Sequence, residues 1–252
     1  MKPYGVVLAT VLSALFLSDA TQADALTDVR ATLQKLSSDA PIKGTLDVRS
    51  EHLDQEENDD HVPPGHLRMH IEANGGLSIH LDPDLLQLIE QEQKAHDADA
   101  NKPTPDTDLL RIADAMAIGH LTSAAPALLQ LLEGATGPEV AAAELDGAPV
   151  QQLTVQIPLL ANKKYRAYAY GYKGSLVLWL DAQGVPLASQ QNFHAKFCKF
   201  FFCLTVDQHH DTKLKVVNGR LVAVSAVDEL QQSGLGQGSH TKQTFALQLD
   251  IQ

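Results

Sequence analysis

The chain has 252 residues and a formal net charge of −12, from 31 acidic against 19 basic side chains. The cations are scattered, with no Lys/Arg stripe, which argues against nucleic acid and anionic headgroups as partners because both need concentrated positive charge. A hydrophobic content of 44% can supply a large core. After the N-terminal segment no stretch is apolar enough to predict a transmembrane helix.

The chain starts with Lys2, an uncharged apolar run over residues 6–17, and the small residues Thr21, Ala23 and Ala25. This layout predicts a secretory signal peptide over residues 1–23, cut after Ala23 or Ala25. The run is short for a bilayer span, so no permanent membrane anchor is expected. Residues 24–252 then read as one exported domain.

Leu26, Val29, Leu33 and Leu36 recur at helical spacing and predict a helix over 26–38, ended by Pro41. Leu46 and Val48 alternate with polar neighbours, predicting a strand over 42–52. An acidic loop with Pro63-Pro64-Gly65 follows. Next comes a hairpin around Asn74-Gly75-Gly76. A three-residue turn sets Ile71 against Ile79, Met69 against Leu81 and His70 against His80, keeping the apolar face continuous.

Asp82-Pro83-Asp84 reads as an N-cap, a proline at the first helical position and an acid in the first turn, opening a helix over 83–97. Residues 98–107 read as a linker. Leu109, Ile112, Ala113, Met116 and Ala117 predict a second helix, and residues 122–133 a third, apolar enough to need burial. These segments form a helical insert at about residues 83–133. Period-two patterning then returns, with strands predicted over 139–146, 150–158, 165–181, 185–197, 203–217, 220–229 and 241–251. Asp146-Gly147, Gln183-Gly184 and Asn218-Gly219 mark turns between them. The expected class is α+β: a large antiparallel sheet, curled because of its width, with helices over one face.

The stretch from Gly174 through Trp179 and Asp181-Ala182-Gln183-Gly184 to Pro186 resembles a hairpin of the periplasmic lipoprotein-carrier (LolA-like) superfamily. The order of elements resembles that family over most of the chain. The resemblance implies an open, incomplete β-barrel with a helical lid, a periplasmic location, and an apolar cavity for a lipid, an acyl chain or another apolar ligand. It implies a binder without catalytic residues or cofactor. Each methylene withdrawn from water contributes about 0.8 kcal/mol, so a long acyl chain gains on the order of 10 kcal/mol before ordering costs. Met69, Met116, Leu128, Leu132 and Trp179 are candidates to line such a cavity, or equally to fill the core beneath the sheet.

Other constellations suggest alternatives. His66, His70 and His80 share a strand-pair face and, with Asp82 near Arg68, would suit zinc or copper; a solvent-facing polar stripe explains them as well. His194, His209 and His210 form a second group if their strands are neighbours. Cys198 and Cys203 are expected to pair in an oxidising compartment, contributing roughly 2 kcal/mol through so short a loop. Their spacing is not C-x-x-C, and zinc would need two further ligands. A bridge there puts Phe200, Phe201 and Phe202 on a hairpin tip. That tip either contacts a transient envelope partner or membrane, or folds inward. The acidic run at residues 51–60 lacks calcium-loop spacing. Gly234, Gly236 and Gly238 read as a flexible loop. Tyr168, Tyr170 and Tyr172 are expected on one face of a strand, at a pocket mouth or in packing.

Overall fold

The computed structural model describes residues 18–53, 63–159, 168–199, 202–234 and 237–250. Most of the expected signal peptide, the acidic stretch 54–62, and Phe200 and Phe201 lie outside the described residues. The elements are α1 (Ser18–Lys35), β1 (Ile42–His52), β2 (Gly65–Ala73), β3 (Leu77–Leu81), α2 (Pro83–Ala98), α3 (Pro105–Ile112), α4 (Ala115–Thr122) and α5 (Ala124–Leu132). Seven strands follow: β4 (Thr136–Leu145), β5 (Ala148–Gln156), β6 (Ala169–Leu180), β7 (Pro186–Lys199), β8 (Phe202–Val217), β9 (Arg220–Gly234) and β10 (Gln237–Leu249).

The ten strands among the described residues form one antiparallel sheet in the order β3-β2-β1-β10-β9-β8-β7-β6-β5-β4. It is not closed into a barrel, so β3 and β4 are its two edges. The first strand pairs with the last, Leu46 opposite Leu247 and Val48 opposite Phe245, joining the N-terminal hairpin to the late meander. The fold is thus α+β, a large open sheet covered by helices.

Local chemistry fixes the turns. Asp146-Gly147 and Asn218-Gly219 both have positive φ at the two central positions, the geometry that a two-residue hairpin needs. The β2–β3 register is the expected one, with His70 opposite His80 and Ile71 opposite Ile79. Helix α2 starts as its sequence requires: Pro83 opens it and the Asp82 carboxylate accepts from the Asp84 amide at 2.9 Å.

One face of the sheet carries the core. Leu46, Leu67, Leu153, Leu178 and Leu221 are fully buried there, with Val29 and Leu33 of α1 and Ile118 and Leu132 of α4 and α5. Arg30 Nη2 donates to the Leu132 carbonyl at 2.7 Å, tying α1 to the end of α5. The buried Arg220 donates to the Ala40 carbonyl at 3.1 Å and anchors the segment after α1 to β9. No single described helix is long and apolar enough to cross a membrane; α4 and α5 reach that length only together, across a 95° bend.

Two expectations need correction. The helix expected around residues 109–117 is two helices, because the Asp114 carboxylate accepts from the amides of Met116 and Ala117 at 2.9 and 2.8 Å and starts α4 afresh. The stretch read as a glycine loop is mostly strand: Gly234 ends β9, and Gly238 lies in β10. A Cβ at Gly234 would sit 2.5 Å from the Cys203 carbonyl oxygen, so glycine there permits close strand approach rather than a loop.

Candidate functional site

Helices α4 and α5 do not seal against the sheet. Between them and strands β6 to β10 runs a groove of about 540 Å³, within the usual range for small-molecule sites. Its roof is Met116, Ala117, Leu121, Ala124, Leu128 and Leu131. The floor beneath is Leu176, Leu214, Ala223, Ala226 and Phe245. The roof is positioned by the Asp114 cap, which fixes where α4 begins, and by Leu132, whose burial seats α5.

Further along the same strands the floor turns polar. Gln191, His210, Asp228 and Gln243 lie side by side across four neighbouring strands, as the register Gln191–His210, His210–Asp228 and Asp228–Gln243 requires. Gln208 Nε2 donates to Asp228 Oδ1 at 2.8 Å, and His210 Nδ1 stands 3.5 Å from the same oxygen. The Thr212 hydroxyl lies 3.1 Å from His210 Nε2. This row resembles a nucleophile–histidine–acid relay, but its backbone amides are committed to a central sheet and no oxyanion cradle is formed. What the site offers is an apolar trough with a hydrogen-bonding end.

The candidates named from sequence divide. Met116 and Leu128 line the groove, Met116 on its rim at 67% exposed. Met69 and Leu132 are buried in the core and do not line the groove. Trp179 lies between the buried Leu178 and Leu180, so alternation turns it to the opposite face, half-buried between Gln152 and Ala188. Asp228, Gln208 and Gln243 were not anticipated, and His210 was expected only in a histidine group. The signal was present: Asp228 falls in phase with Ala226 and Leu230 on their strand.

Two of the three candidate histidines on β2 and β3 are engaged with other partners. His66 Nε2 contacts Asp47 Oδ2 at 2.8 Å, and His70 Nδ1 contacts the Thr45 hydroxyl at 3.1 Å. Burial alone would raise the Asp47 carboxyl, but hydrogen bonds from His66 and Arg49 outweigh it and hold the pKa below the ordinary value. Asp82, expected beside these histidines, spends its carboxylate on the α2 cap. Strands β7 and β8 are neighbours, as the second histidine group needs, but His210 lies on the groove face and His194 and His209 on the other. There His194 binds Asp207 at 2.6 Å, and the two ring nitrogens of His209 meet Asn192 at 2.6 Å and Asp211 at 2.9 Å. Among the described residues no group of three or more His, Cys, Asp or Glu is placed to hold a metal.

Cys198 and Cys203 form a disulfide across β7 and β8. Beside it Phe202 is 62% exposed, so this ring does not fold inward. The three tyrosines do not share a face, because a bulge at Gly171 breaks the alternation. Tyr172 turns in, donating to the Ile157 carbonyl at 2.9 Å and meeting Phe193 edge-on, while Tyr170 is exposed and Tyr168 lies under the Lys199 ammonium.

No family model matches the chain, and comparison with curated proteins and with solved structures finds no significant match to either.

Proposed function

We propose that this protein is an exported, LolA-like, non-catalytic binder that holds a lipid, an acyl chain or another apolar ligand between α4–α5 and the sheet. The groove itself carries this reading: about 540 Å³ of space with apolar side chains on both its walls. Hydrophobic burial is enough to retain a chain there without any charged contact. The leader-like N-terminus supports export to a periplasm, and the order of elements supports the family likeness.

The test is native mass spectrometry of the full chain after detergent-free purification, beside uptake of the apolar fluorophore N-phenyl-1-naphthylamine. A ligand adduct or probe uptake is expected in the unaltered protein. Both should be lost in Ala127→Trp, which fills the groove from a half-buried roof position. Bare protein that takes up no probe would refute the proposal.

The exposure of Phe202 at the stapled tip, with Leu204 at 41%, favours a second use of the molecule, contact with an envelope partner. Loss of that contact in Phe202→Ser with an unchanged melting temperature would support it; undiminished contact would reject it.

A further inference from the structure

The polar end of the groove bears on which ligands it accepts, given that the groove binds an apolar chain at all. Among the described residues lining it there is no Lys or Arg, and the one formal charge is the Asp228 carboxylate. That carboxylate is partly withdrawn from water, its side chain 19% exposed. Among the described residues, Gln208 and His210 both meet it at Oδ1, which leaves Oδ2 open to solvent in the groove. A carboxylate with one oxygen open in this way can take a further hydrogen-bond donor from a ligand. Around it Gln191 and Gln243 add side-chain amides, which bind polar heads without favouring negative charge.

We propose that the groove selects a single-chain amphiphile by its head: the chain lies along Leu128, Leu176 and Phe245, and a donor head, hydroxyl or ammonium, completes the Asp228 carboxylate. A fatty-acid carboxylate or a phosphate in the same place would set like charges together in a partly buried site with no Lys or Arg among its described lining residues to offset them.

The experiment is competition for bound N-phenyl-1-naphthylamine by three ligands with matched chains: monoolein, oleylamine and oleate. Monoolein and oleylamine should displace the probe from the unaltered protein at concentrations about tenfold or more below that needed for oleate. Monoolein acting alone identifies a hydroxyl head, and oleylamine alone an ammonium head; either outcome supports the selection. Asp228→Asn should bring oleate close to monoolein. Gln243→Lys, which sets a cation directly across from Asp228 on the neighbouring strand, should do the same should Asp228→Asn fail to fold. Equal displacement by all three in the unaltered protein would overturn the head selection while leaving the groove reading in place. An oleate disadvantage that persists in the folded variants would overturn the role of Asp228. Failure of all three ligands and of the probe would refute the groove reading, and the selection with it.

Discussion

Two single-residue truncations, Leu132→Ala and Met116→Ala, separate the core of this protein from its groove. Leu132 has no exposed surface and packs in the main cluster beside α1, whose Arg30 holds its carbonyl. Removing its branched end forfeits about three carbons of transfer free energy and leaves a void, for a cost of roughly 2–5 kcal/mol. In a domain of this size each kcal/mol moves the melting temperature by about 2–4 °C, so a fall of about 5–15 °C is expected. Met116 is 67% exposed on the groove rim, and its truncation should change stability by no more than about 0.5 kcal/mol. Urea unfolding followed by Trp179 fluorescence suits the comparison, because the indole lies on the opposite face and neither substitution touches it. Probe affinity is measured in parallel, and Met116→Ala should lower it without moving the urea midpoint. A neutral Leu132→Ala would refute the packing of α5, and a Met116→Ala as damaging as Leu132→Ala would refute an open rim.

Three other outcomes are expected. Glu92 of α2 receives the Thr107 amide and hydroxyl, both at 2.9 Å, at the start of α3, so Glu92→Ala should cost about 1 kcal/mol in urea unfolding, as loss of a helix cap does. Burial raises the Asp106 carboxyl above its ordinary 3.8, opposed by the hydrogen bond from the His66 amide and aided by the nearby Glu92 charge. Because the folded value is the higher, the stability that Asp106 contributes is present below pH 3.8 and lost as pH rises through the raised value. Asp106→Asn should therefore gain on the unaltered protein as pH is raised across that window; a pH-independent difference in urea midpoints would contradict this. Replacing Cys198 and Cys203 by serine should lower stability by about 2 kcal/mol, readable in a thermal melt, with the rest of the sheet intact by circular dichroism.

The strands and turns were legible because side-chain alternation reports directly on which face is buried. Ile71 and Ile79 could meet only in one register, and Asn218-Gly219 accepts the positive φ that a tight hairpin demands. What alternation does not carry is the identity of the covering layer. It marks Ala226, Asp228 and Leu230 as inward, yet not that α4 stops short and leaves Asp228 lining a groove. Trp179 was misplaced for a related reason: every position from Leu176 to Leu180 is apolar, so alternation does not say which phase turns inward. The Tyr172 face was hidden by the Gly171 bulge, and the α3–α4 break by a helical period that continues through Asp114. Of the five residues expected to line a cavity, only Met116 and Leu128 reach the groove.

The two open margins of the sheet have a bearing on how the molecule behaves in company. A neighbour seeking to extend β4 meets Pro138, which has no amide proton to offer, a slipped register between Thr136 and Glu139, and the negative charge of Glu139 and Glu144. The other margin, β3, has five residues and lies against α4, too short a template for a stranger's backbone to settle on. A platform this wide can therefore stay unrolled without inviting its own copies to stack on as fibrils.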